Sequence, residues 1–291
     1  MRLFLLPVST RRTLIYCQRL NVTTTEQQSF LDKSTARAAK LWAGWEKKES
    51  GWQKKVVEYG NQALRRIPYE EWGLKSVPPL SARRKEKELS GKEKVEISFP
   101  SALIPEAEVS NVLTTLATER QGLHKRKMLY SFIGMPITAP VAIIPVIPNL
   151  PFFYLVFRAW SHWRALSGSK HLQFLVENKL VTAKPSKILD ELYATGRRSS
   201  NGGSASISKN PSGTLEEEKM LLHKTDGKRI SEALGIPELD VELDRAVWQV
   251  EKALKAAKEL GEEKEELDKL SGRPNRCSIK KNDGKSYPES I

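Results

Sequence analysis

The run MLYSFIGMPITAPVAIIPVIPNLPFFYLVF, Met128 to Phe157, carries no formal charge in a chain of 291 residues that is 29% charged. His124, Lys125, Arg126 and Lys127 precede it, and Arg158 and Arg164 follow it. An uncharged apolar run longer than roughly 18 residues is the usual mark of a membrane segment. The helix-breaking ladder Pro136, Pro140, Pro145, Pro148 and Pro151 excludes a single straight helix. An extended proline-rich backbone cannot face lipid either, because its polar groups would stay unpaired. The expectation is a broken element: a first limb over 125–144 kinked at Pro136 and Pro140, a proline turn over 145–151, and a second helix from Phe152. A re-entrant hairpin and a single span followed by an interfacial helix both satisfy it. A proline-bent hairpin buried in a soluble domain is the competing reading. Lys125, Arg126, Lys127, Arg158, Trp160, Trp163 and Arg164 read as membrane-interface anchors.

Outward from this stretch, the chain reads as mainly α with a minor β part. The opening MRLFLLPVSTRRTLIYCQRL has no acid before Glu26 and fits both an import signal and a strand–turn–strand, with Pro7 near an edge. Over 29–67, Ala38, Leu41, Trp45, Trp52, Val56 and Tyr59 recur at helical spacing and predict a buried stripe, with Gly44 and Gly51 as possible interruptions. Residues 68–91 read as a linker, 94–99 as a strand, and 105–121 as a helix. Leu172, Leu175, Val176 and Leu180 mark another helix over 164–181, with a break at Gly168. The resulting regions are 1–122, α+β; 123–181, the membrane-like hairpin and following helix; 182–215, a disordered linker; and 216–291, a helical tail with an unstructured end. In the tail, Leu243, Val247, Val250, Leu254 and Ala257 form a seam that suits docking onto another helix over 239–260, with fraying expected from Gly261.

The net charge of +13 suits anionic lipid, nucleic acid or an alkaline compartment, and the wide scatter of Lys and Arg disfavours nucleic acid. Cys17 and Cys277 stand alone, so no disulfide framework, metal site or cofactor is implied. Phosphate-binding glycine loops and the common hydrolase and zinc motifs are missing from the sequence, which argues against a soluble enzyme. His124, His162, His171 and His223 read as surface or interface residues.

The run GMPITAPVAIIPVIPNLPFFYLVFRAWSHWRALSGSKHLQFLV, with MRLFLLPVSTRRTLIYCQ and RIPYEEWGLKSVP ahead of it, resembles the fungal mitochondrial K+–H+ exchange-related family over residues 1–181. The resemblance implies the mitochondrial inner membrane and electroneutral potassium–proton exchange. Within the apolar run the only polar side chains are Tyr130, Ser131, Thr138, Asn149 and Tyr154. These and His162 are the ion-pathway candidates, with Glu119 or a second subunit as other sources of proton coupling. Antiport needs a titratable or coordinating group at membrane depth. One or two spans cannot enclose a pathway, so the expected role is an essential or regulatory component, as a homo-oligomer or with other inner-membrane proteins. A membrane-anchored scaffold without transport activity is the alternative.

Overall fold

The computed structural model describes residues 1–18, 37, 40–48, 50–91, 95–140, 150–199 and 218–270. Residues Met1–Val250 form one compact unit and Glu251–Ile291 a second. The first unit is built on a four-stranded sheet of order β2-β1-β3-β4, from β1 (Arg2–Pro7), β2 (Thr13–Gln18), β3 (Val95–Phe99) and β4 (Val181–Pro185). β1 pairs antiparallel with β2 and parallel with β3, and β3 pairs parallel with β4.

The predicted strand–turn–strand is therefore present, but β1 is an inner strand. Leu3, Phe4, Leu5 and Leu6 are all buried. A strand covered on both faces shows a continuous apolar run rather than alternation. Pro7 lies beyond the residues that pair with β3, Arg2 to Phe4, so its missing N–H interrupts no β1–β3 bond. The Tyr193 hydroxyl donates to the Pro7 carbonyl at 2.9 Å. Beside the β1–β2 turn, Leu221 N–H donates to Val8 O at 2.9 Å and Thr10 N–H to Lys219 O at 3.0 Å.

Helices α1 (Trp52–Arg65), α2 (Tyr69–Ser76), α3 (Ala82–Leu89), α4 (Glu106–Thr118), α5 (Gln121–Thr138) and α6 (Leu150–Glu177) follow in order, then α7 (Lys187–Ser199), α8 (Lys224–Leu234) and α9 (Glu238–Leu270). Several expectations change here. The break at Gly51 is real, with φ 107, whereas Gly44 lies inside helical residues 40–46. The stripe is not buried: Leu41, Trp52 and Tyr59 are exposed, and Val57 is the buried residue of α1. Residues 68–91 are not a linker but hold α2 and α3. Residues 182–199, placed in a disordered linker, form β4 and α7, whose Leu189 and Tyr193 are buried. Leu243, Val247 and Val250 of the seam are buried within the first unit, so that part docks in cis. Helix α9 does not stop at Gly261 but continues to Leu270.

Gly168 does not break α6 either. A Cβ there would stand 2.0 Å from the Leu74 carbonyl oxygen of α2, so glycine is what lets the two backbones approach. On its other side α2 uses Gly73, where a Cβ would stand 2.4 Å from Ile15 O of β2. Helix α2 is thus wedged between the sheet and α6. Gln249 of α9 secures its start, accepting from Tyr69 N–H at 2.9 Å and donating to Ile67 O at 2.8 Å.

Helix α5 continues past Pro136 to Thr138, and Ala139 and Pro140 carry on in a 3-10 turn. Pro151 falls in the first turn of α6, where a missing N–H costs no helical bond. Helices α5 and α6 pair antiparallel. Gln121 Nε2 donates to Gln173 Oε1 at 2.7 Å near the foot, and toward the tip a Cβ on Gly134 would lie 2.9 Å from Leu155 Cδ1. Among the described residues no helix is long and apolar enough to cross a membrane.

Gly168→Ala is expected to lower stability by about 3 kcal/mol through overpacking against the α2 carbonyls. Gly122→Ala, which meets open space, should leave the thermal melting midpoint unchanged or higher. Thermal unfolding of the two variants checks both.

Candidate functional site

At the foot of the α5–α6 hairpin, three helices bring six polar side chains into one buried junction. Glu71 and Lys75 lie one turn apart on α2. Arg158, Ser161 and His162 share a face of α6 at the spacing of one turn, and His124 comes from α5. Glu71, His124, Ser161 and His162 are each at most 2% exposed. Arg158 donates to Glu71 through both arms of its guanidinium, Nη1 to Oε1 at 2.9 Å and Nη2 to Oε2 at 3.2 Å. The Ser161 hydroxyl also donates to Glu71 Oε1, and Lys75 Nζ donates to Ser161 Oγ at 3.0 Å. Burial works to raise the Glu71 carboxyl, but the Ser161 and Arg158 hydrogen bonds and charge outweigh it and hold it below its usual value.

The histidine protons follow from this arrangement. Arg158 Nη2 stands 3.0 Å from His162 Nε2 and has only protons to offer, so Nε2 must accept. The His162 proton then sits on Nδ1, 3.1 Å from His124 Nδ1, which accepts it. The His124 proton is left on Nε2, which is buried and finds no acceptor among the described residues. Burial lowers both histidines, His162 to about 4, so both imidazoles are neutral at physiological pH. Lys75 is brought down to about 8, chiefly by burial, with Glu71 and Glu242 opposing. Its ammonium lies 3.3 Å from the Trp72 ring centroid, with Phe157 and Trp160 at 5.6 and 5.7 Å.

Glu71, His124 and His162 are also the one set of metal-ligand types that converges among the described residues, with donor atoms within 4.8 Å of one another. A metal ion would need a free lone pair on each imidazole, and both His162 nitrogens are already committed, Nε2 to Arg158 and Nδ1 to its proton. Arg158 forces the His162 proton onto Nδ1 and already supplies the counter-charge to Glu71, so the residues present do not fit a metal in this arrangement. Further along α6, His171 is fully buried, with Nδ1 2.7 Å from Pro78 O and Nε2 2.9 Å from Glu88, which ties α3 and the 77–81 segment to the same helix.

The other sequence candidates fall elsewhere. Ser131 is buried and donates to Lys127 O at 3.0 Å, and Thr138 donates to Met135 O at 3.1 Å, so both hydroxyls are used within α5. Tyr130 and Tyr154 are exposed. Of the residues read as interface anchors, Lys125, Arg126 and Lys127 are exposed, and Trp163 is partly so. Arg158 is not at the surface like them, because its charge is committed to Glu71. Trp160 is half-buried, and Arg164 reaches Lys75 O at 3.4 Å. Pro145, Pro148 and Asn149 lie outside the described residues.

His124, His162 and His171, expected at a surface or interface, are buried instead, while His223 is exposed at the start of α8. Sequence reasoning missed Glu71 and Lys75 because they sat in a supposed linker. Their i, i+4 placement with Trp72 and Leu74 in YEEWGLKS was the available sign of a helix with a polar face.

Fold and site together define an α+β protein that carries an apolar helical hairpin on a buried, charge-compensated foot. The chain belongs to the mitochondrial K+–H+ exchange-related family, whose profile matches residues 2–176. An uncharacterized protein of Schizosaccharomyces pombe is 30% identical over 193 residues, covering 66% of this chain and 82% of that protein. An uncharacterized protein of Saccharomyces cerevisiae is 26% identical over 274 residues, covering 85% of this chain and 84% of that one. No solved structure matches. The match runs through β1, α2, α5 and the junction residues of α6.

Two outcomes follow from the junction. Arg158→Ala leaves a buried carboxylate without its counter-charge and should cost about 3–5 kcal/mol, whereas Glu71→Gln with Arg158→Met should cost less. Chemical denaturation of the variants measures this. His162 binds its proton less tightly folded, at about 4, than at the ordinary 6.5, so the unfolded chain holds more protons between those values. Its contribution is complete above pH 6.5 and is lost as pH falls toward 4, by up to about 3 kcal/mol. His162→Gln should flatten the melting midpoint across that window.

Proposed function

We propose that this protein is a component of the potassium–proton exchange system of the mitochondrial inner membrane, controlling matrix potassium and volume. It supports or regulates exchange rather than enclosing an ion path alone. The observation that carries the reading is the exposed apolar surface of the α5–α6 hairpin in a chain of this family. Leu129, Phe132, Ile133, Ile137 and Phe153 are each more than half exposed. Such a surface is far more apolar than water-facing helices carry and calls for lipid or a partner. The hairpin offers no Asp, Glu, His, Lys or Arg between Met128 and Phe157. Proton-exchanging groups therefore stand at its foot, where Lys75 and the histidine pair are, and an ion path needs further subunits, copies of this chain or other inner-membrane proteins.

A second reading is a membrane-anchored scaffold without transport activity. Leu260 and Leu267 favour it, being exposed and seven residues apart on α9, the spacing of a helix-docking stripe.

Passive swelling of isolated mitochondria in potassium acetate tests the proposal with three strains: full-length chain, no chain, and a chain lacking 128–157. Swelling should fall without the protein and be restored by the full-length chain alone. Equal swelling in all three would leave the scaffold.

A further inference from the structure

We propose that the α5–α6 hairpin enters the bilayer as a re-entrant wedge, inserted from one side and not crossing it, with its foot on an anionic phospholipid surface. This rests on the membrane part of the reading above and adds its geometry. The antiparallel pairing puts Gln121 beside Gln173 and His124 beside His162, so the charged ends of both helices lie at the same level. Lys125, Arg126 and Lys127 are exposed at that level, and Trp163, the residue after His162 on α6, is 40% exposed. Cations beside an exposed indole are the composition of a membrane–water interface. From Met128 on α5 and from Phe157 on α6 to the tip, no residue is charged.

The chain between Lys127 and Arg158 is too short for a double crossing. At 1.5 Å per residue it is about 47 Å long if helical, against about 60 Å for a passage through the hydrocarbon and back. An extended chain would be longer but cannot stand in hydrocarbon with open backbone groups. With both charged ends on one side, the tip stops within the membrane. Charge decides the occupant. A second copy would set one cationic foot against another, whereas an anionic lipid surface neutralises each Lys and Arg for about 1 kcal/mol.

The test uses the purified full chain with phosphatidylcholine vesicles, with or without phosphatidylglycerol, in a flotation assay. Ile137→Cys and Phe153→Cys, each in a Cys277→Ser background, carry an environment-sensitive fluorophore; Cys17 is buried in β2. The expected result is flotation with the anionic vesicles, quenching of both labels by quenchers in the acyl chains, and, with the unlabelled cysteine variants, no modification by an impermeant thiol reagent trapped in the lumen. Lys125→Gln, Arg126→Gln and Lys127→Gln together should weaken binding roughly 10²-fold. Lumenal modification would overturn the wedge while leaving a membrane protein, and swelling would still report on exchange. Failure to float, or a dimer in sedimentation that hides both labels, would overturn the membrane occupant itself. Ile133→Cys serves as a third label if either variant expresses poorly.

Discussion

A carboxylate sealed from water where three helices cross is the constraint on which this molecule depends. Glu71 is 2% exposed, and an ion so placed is tolerated only with a matching charge and filled lone pairs. Arg158 and Ser161 meet that demand from α6, and the requirement fixes the rotation of α2 and the register of α6 together. Gly168 follows, since the carboxylate reaches Arg158 only if α2 lies backbone to backbone against α6. The histidine pair extends the same network to α5. The hairpin is therefore held at its foot by polar geometry, while its upper part is held mostly by the apolar contact of one limb on the other.

Much of this was readable in the residues, and the misses share a cause. The charge-free stretch, the β1–β2 turn, β3 and α4 each announce themselves over short distances through alternation, helical spacing or proline. The junction does not, because Glu71, His124 and Arg158 are far apart in sequence and unremarkable one by one. Gly168 shows the ambiguity best: a glycine in a helical pattern reads as a break, and only a neighbour's carbonyl 2.0 Å from its absent Cβ reveals a contact. The stripe through Trp45, Trp52 and Tyr59 erred the other way. Periodicity says that residues share a face, not that anything covers it. Lys75 and Trp72, hidden in a segment with proline at both ends, were lost to the same short-range view.

Charge divides the hairpin into tip and foot. The uncharged tip has little with which to bind a proton, whereas the foot holds neutral imidazoles and an ammonium poised near 8 within one network. Any change in how the limbs sit in their surroundings bears on Arg158 and His162, which belong to the limb and the foot at once.

The inner position of β1 governs when this chain can fold. Its first strand completes its pairing only when Val95–Phe99 arrives, and the sheet closes only with Val181–Pro185. During synthesis, or passage through a narrow pore amino end first, Leu3 to Leu6 stay uncovered while most of the chain is still to come. Pairing of segments so distant is slow and leaves sticky surface exposed meanwhile. The nascent protein is therefore a natural client for chaperones on whichever side it emerges.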